Sequence, residues 1–99
     1  MARTPIHPGE ILADELAELG MSAAALARTL RVPANRISQI IAGKRAMTAD
    51  TALRIGKWLG TGPELWLNLQ KTFELDQARA AIGKTLDAIP SLKKASRAA

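Results

Sequence analysis

Four polar side chains crowd one short stretch of this chain: Asn35, Arg36, Ser38 and Gln39. Their donors and acceptors suit base edges in a major groove: Arg to guanine, Asn or Gln to adenine, Ser to either. Lys44 and Arg45 follow a few residues later, where a phosphate would lie. Residues equipped for covalent chemistry are scarce. There is no cysteine, so no thiolate nucleophile, thiolate metal site or disulfide framework is available. His7 is the lone histidine, and no carboxylate pair sits in a glycine-rich or metal-ligand setting. Neither a catalytic residue nor a metal ligand nor a cofactor site is expected. Recognition, rather than bond breaking, is the chemistry this pattern supports.

The polar cluster needs a rigid element to present it. Two short helices have the right spacing, the first over residues 23–30 and the second over residues 34–42. Ser22 is a good N-cap for the first, since its hydroxyl can accept from a free N–H of the opening turn. Arg31-Val32-Pro33 is the connector, and proline belongs at a helix start rather than inside it. Gly43 is placed to end the second helix. Leu26, Leu30, Val32, Ile37 and Ile41 are expected to turn inward, with Ala27 small enough for the two helices to cross closely. This is the pattern of a helix-turn-helix, with residues 34–42 as its recognition helix. Two amphipathic helices and a turn also occur in many all-α domains, where a polar outer face is merely solvated. An amide-rich and arginine-bearing face on a basic chain favours nucleic acid.

The chain has 99 residues, enough for one domain with one modest core. Hydrophobic residues make up 47 %, largely Ala, Leu and Ile, whereas aromatics are 3 %, a balance that favours helices over strands. The net charge of +5 suits a polyanionic partner. The first residues lack the apolar centre of a signal peptide, and no apolar run is long enough to span a bilayer. A soluble cytoplasmic protein is therefore expected.

Three further helices frame the central pair. One opens at His7-Pro8-Gly9-Glu10 and runs to about Leu19, with Ile11, Leu12, Leu16 and Leu19 as its buried stripe and Gly20 as its stop. His7 is expected to cap it. The fourth covers residues 49–59, with Thr48 as cap, Asp50 in the first turn, and Ala52, Leu53, Ile55, Gly56, Trp58 and Leu59 on a broad apolar face. Thr61-Gly62-Pro63-Glu64 has capping-box spacing and opens the fifth. Trp66 is the expected core anchor. Leu75, Ala78, Ile82, Leu86 and Ile89 continue at helical spacing, so the helix extends or restarts toward Asp87 despite Gly83. Residues 7–89 are thus one domain, preceded by a loose arm of residues 1–6. Residues 90–99 are a disordered basic tail.

This layout resembles the lambda-repressor-like family (the Cro/C1 or XRE family). It is closest to the branch of HigA-type antitoxins, once grouped with virulence-associated protein I. The resemblance is carried by His7-Pro8-Gly9-Glu10-Ile11-Leu12, Asn35-Arg36-Ile37-Ser38, Gly43-Lys44-Arg45, Thr48-Ala49-Asp50-Thr51-Ala52-Leu53-Arg54 and Trp66-Leu67-Asn68-Leu69-Gln70, which lie between residue 7 and about residue 78. It implies an all-α, five-helix DNA-binding domain. It also implies an antitoxin that neutralises a RelE-like mRNA endonuclease, HigB, and that represses its own operon as a homodimer on a palindromic operator. The family's base-contacting positions fall here on Ala34, Asn35, Ser38 and Gln39, with Arg36 in reach of base or phosphate. Ala34 could offer only apolar contact. Lys44 and Arg45 match a basic pair for phosphate. The family usually has glycine where this chain has Arg31. If φ is positive there, arginine costs on the order of 1 kcal/mol, and in return its side chain can reach phosphate. The family fixes no toxin-contacting residue.

Two other readings share these features. A free-standing transcriptional repressor without a toxin would look the same on DNA. A helical interaction module whose basic face meets protein or RNA would show no sequence preference on DNA.

Overall fold

The computed structural model describes residues 4–92. Five helices follow one another: α1 Pro8–Leu19, α2 Ala23–Leu30, α3 Ala34–Ile41, α4 Ala49–Leu59 and α5 Glu64–Ala88. No strand occurs among the described residues. None of the helices is long and apolar enough to cross a membrane. The outer parts of the expected arm and tail, residues 1–3 and 93–99, lie outside the described residues.

The chemistry of the helix ends explains most of these boundaries. His7 is the N-cap of α1, and its Nδ1 accepts from the Gly9 N–H at 2.9 Å. Glu10 returns the favour, accepting from the His7 N–H at 3.0 Å, which completes a capping box. The same imidazole meets the Phe73 ring edge-on, 4.8 Å between centroids, tying the start of α1 to α5. The expected structural role of His7 is the one it has.

Leu12, Leu16, Leu26, Ala27, Leu30, Ile37, Ile40, Met47, Ala52, Ile55 and Trp66 form one core. Two glycines let backbones meet across it. A Cβ on Gly9 would lie 1.8 Å from the Ile40 carbonyl oxygen, so only glycine allows α1 to cross α3 there. A Cβ on Gly56 would lie 2.3 Å from the Gly62 carbonyl, which folds the start of α5 back onto α4. Gln70, buried on α5, accepts from the Met47 N–H at 2.8 Å and so pins the α3–α4 connector to the last helix.

Several sequence expectations need correction. Leu19 and Leu53 are exposed, not buried, because each sits past the edge of its helix's inward stripe. The inward residues of α3 are Ile37 and Ile40, while Ile41 is only half-buried. Gly9 of α1 abuts the Ile40 carbonyl, which sets that side of α3 against the core. Helix α3 ends at Ile41, with Ala42 as its cap and Gly43 in the left-handed region at φ 75°. Thr48 stands at the N-cap of α4, but its hydroxyl meets the Thr51 hydroxyl rather than a backbone N–H. The Thr61–Glu64 capping box does not form. Instead the N–H groups of Thr61 and Gly62 both donate to the Gly56 carbonyl, and the Thr61 hydroxyl donates to the Gly62 carbonyl. The turn finishes α4 rather than starting α5.

Helix α5 has 25 residues, about 37 Å at helical rise, and accounts for a molecule 60 Å long but only 23 × 21 Å across. Gly83 does not stop it, although Ile82 beside it leaves helical geometry at φ −119°, ψ 17°. Only its first part packs on the core, through Trp66 and Gln70. Trp66 is 1 % exposed and the largest fully buried side chain. Trp66→Ala should cost about 3–5 kcal/mol of folding stability, measured by urea denaturation. A loss below about 1 kcal/mol would mean that α5 does not anchor the fold.

Candidate nucleic-acid interface

Helices α2 and α3 are only eight residues each, too short to persist alone, so the core must hold them in place. The Ser22 hydroxyl accepts from the Ala25 N–H at 3.1 Å and begins α2 as expected. Arg31 ends it at φ 61°, ψ 46°, the one non-glycine residue with positive φ among the described residues. The Val32 N–H reaches back to the Ala27 carbonyl at 3.0 Å and the Arg31 N–H to Arg28 at 3.2 Å, the bond pattern of a left-handed helix stop. The turn is left-handed at Arg31, and arginine accepts there the strain that glycine would avoid. Pro33 at φ −60°, ψ 144° then launches α3.

With Ile37 and Ile40 buried, the opposite side of α3 must face solvent. Ala34, Asn35 and Ser38 are exposed there, and Arg36 and Gln39 are half-buried at its edges. Lys44 and Arg45 are exposed just beyond the helix, and Arg31 just before it. The fold therefore brings all eight expected residues, Arg31, Ala34, Asn35, Arg36, Ser38, Gln39, Lys44 and Arg45, to α3 and its two flanking turns.

Their side chains are not equally free. Arg31, Asn35 and Lys44 make no side-chain hydrogen bond to another described residue and remain available to a ligand. Ser38 donates to the Asn35 carbonyl at 3.3 Å. Arg45 donates through Nε to the Gln39 Oε1 at 2.9 Å. Arg36 pairs with Asp50 at 2.5 Å, and Asp50 also holds Arg54 at 3.0 Å. Arg54 in turn donates to the Leu30 carbonyl at 2.8 Å, at the end of α2.

This last chain joins α2, α3 and α4 through one carboxylate. Asp50 and Arg54 were not legible as site residues: the aspartate reads as a first-turn charge and the arginine as a surface residue. The available signal was their i, i+4 spacing on one helix face. The Arg54 hydrogen bond, then that of Arg36 and the charges of both, hold the Asp50 carboxyl below its usual range, against an opposing effect of desolvation. Arg36 is thus aimed at a carboxylate on α4 before any ligand arrives. Among the described residues no cluster of His, Asp and Glu could hold a metal ion.

Residues 12–66, which contain this interface, match the helix-turn-helix family. Virulence-associated protein I of Dichelobacter nodosus is 47 % identical over 74 residues, 74 % of this chain and 68 % of that protein. The solved structure of an addiction module antidote protein of the HigA family from Coxiella burnetii superimposes with a TM-score of 0.87 at 49 % identity, covering 90 % of this chain and 98 % of that one. The chain belongs to the HigA-type antitoxin branch of the helix-turn-helix family. Another member of that branch, Pseudomonas aeruginosa antitoxin HigA, was solved with the higBA promoter. It shares 44 % identity with this chain at a TM-score of 0.84, over 89 % of this chain and 97 % of that one.

Two expectations follow for this HigA-type chain. Arg31→Gly should raise stability by about 1 kcal/mol through relief of the left-handed strain, read as a higher urea midpoint with unchanged m-value. Asp50→Asn should act through pH. A lowered folded pKa means stability that is full above the ordinary aspartate value of about 3.9 and is lost as pH falls through the folded value. The variant should be less stable than the parent at neutral pH, and the gap should close below about pH 4. Equal stability at pH 7 would show that the Asp50 pairs contribute nothing.

Proposed function

We propose that this protein is a DNA-binding antitoxin that represses its own operon and neutralises a RelE-like mRNA endonuclease of the HigB type by direct binding, in the cytoplasm. The observation that carries the DNA half is the solvent-facing side of α3. Asn35, Ser38 and Gln39 stand on a helix whose other side is buried, flanked by Arg31, Lys44 and Arg45. A helix of this kind fits the major groove, with the basic turns on either side against phosphate. Ala34 would meet the groove through its methyl alone, and Arg36 would contact base or backbone while held by Asp50. The promoter complex of the P. aeruginosa relative supports this assignment. The toxin half rests on membership in the HigA-type branch.

Tight operator binding calls for two copies, because one recognition helix makes too few base contacts. The far half of α5 offers a surface for the second. Leu75, Ile82 and Leu86 are each 46–48 % exposed and recur at helical spacing along it, and Ile89 just past its end is 61 % exposed. A two-fold pair joined there would carry its recognition helices to successive major grooves about 34 Å apart, or a multiple of it, on an inverted repeat. Residues 7–89 act as one unit in this reading.

A free-standing repressor without a toxin is the alternative. Co-expression with the reading frame immediately upstream separates the two. Co-purification with rescue of growth is expected; independent purification and continued growth arrest would leave a plain repressor. On the DNA side, Asn35→Ala should cost about 1–3 kcal/mol on the operator and relax preference at one base pair, whereas Lys44→Ala should weaken all duplexes alike and reduce the salt slope by about 1. Truncation after Leu75 should leave the helical core folded but abolish the dimer in sedimentation and shrink the footprint to a single half-site. A truncated chain that still dimerises would move the interface elsewhere.

A further inference from the structure

The bond between Arg45 and Gln39 decides which face of the Gln39 amide is free. A guanidinium has donors only, so the group at 2.9 Å from its Nε must be the amide oxygen and not the amide nitrogen. The positive φ of Gly43 and the Lys44 N–H bond to the Gln39 carbonyl at 2.8 Å turn the chain back beside α3, which is what lets Arg45 reach it. The Gln39 N–H2 group is left without a partner among the described residues, as are the remaining guanidinium N–H groups of Arg45. Arg45 makes no ion pair among the described residues, unlike Arg36.

We infer that Gln39 and Arg45 act as one unit that turns its free donors to the groove and selects guanine, with Arg45 the positioning residue that sets the amide. Bidentate reading of adenine by glutamine needs the oxygen to accept from the base N6 amino group while the nitrogen donates to N7. In this pair one of the oxygen's two lone pairs already holds a charged donor, and such bonds are the stronger kind, so the oxygen is a poorer acceptor for N6 while both amide N–H groups stay free. Guanine presents two adjacent acceptors, N7 and O6, in the major groove, and so matches the free amide and guanidinium N–H groups of the pair. The free-amide expectation of adenine for Gln39 is thereby reversed, and Arg45 takes on more than phosphate contact. The inference rests on α3 being the helix that enters the groove.

The test selects duplexes from a pool with a randomised core using the full-length protein, then measures affinity for each base at each position with the parent, Gln39→Ala, Arg45→Ala and the double variant. The expected result is one guanine per half-site, favoured over adenine by about tenfold in the parent. Either single variant should lose that preference, and the double variant should lose no more than either alone. A uniform loss for all duplexes in Arg45→Ala, with the guanine preference intact, would reduce Arg45 to a phosphate contact and overturn the inference. So would adenine at the position that responds to Gln39→Ala. Without DNA, the side-chain amide resonances of Gln39 should move in Arg45→Ala and stay in place in Lys44→Ala; no movement in Arg45→Ala would overturn the pairing itself. Failure of the underlying reading looks different: the parent would then favour no base anywhere, and Asn35→Ala would be silent.

Discussion

The burial of Ile37 and Ile40 against α1 and α2 is the constraint on which the rest depends. Helix α3 has eight residues and no side-chain N-cap bond, so little within it favours the helical state. Its order is borrowed from the core. Once those two isoleucines are buried, the face carrying Asn35 and Ser38 has one direction left to point. Burial of the apolar side and presentation of the polar side are a single event, and loss of either would remove the other.

Several devices keep that arrangement rigid. Gly9 removes the atom that would push α1 off the Ile40 carbonyl. Arg31 holds the turn in a left-handed shape at some cost in strain. The Asp50 carboxylate binds Arg36 from α3 and Arg54 from α4, and Arg54 closes onto the last carbonyl of α2. Exposed ion pairs taken singly are weak, but a shared carboxylate with two arginines and a backbone acceptor forms a network that links three helices. Gln70 adds a fourth fastening, from α5 to the connector behind the interface.

Rigidity in the first half contrasts with what α5 does. Its opening turns belong to the core through Trp66 and Gln70, while its later turns leave it. A helix that projects with apolar residues along one side is unfavourable in isolation and gains from a partner of similar character. The molecule is thus divided along its length between an end that holds α3 and an end where apolar residues of α5 stay exposed.

Much of this was written in the chain at short range. Helix spacing, the Ser22 cap, Pro33, the glycine stops and the His7–Glu10 box depend on residues within one turn of each other, and so are readable locally. Asn35 and Ser38 could be placed on the outward side of α3 because a two-sided helix pattern needs no knowledge of its neighbours. The Thr61 expectation failed because a helix stop competed with a helix start: the Gly56 carbonyl, in the last turn of α4, took the Thr61 and Gly62 N–H groups. Leu19, Leu53 and Ile41 were misplaced because periodicity marks a stripe but not its edges, which the crossing of other helices defines. The partners of Arg36 and Gln39 were likewise invisible. Asp50 lies fourteen residues from Arg36, and Arg45 six from Gln39. Such pairs exist only after packing has brought a loop or a second helix alongside. The sequence by itself determined which polar side chains of α3 would face outward; the tertiary structure decided which of them are free, because hydrogen-bond partners are set by position in space rather than along the chain.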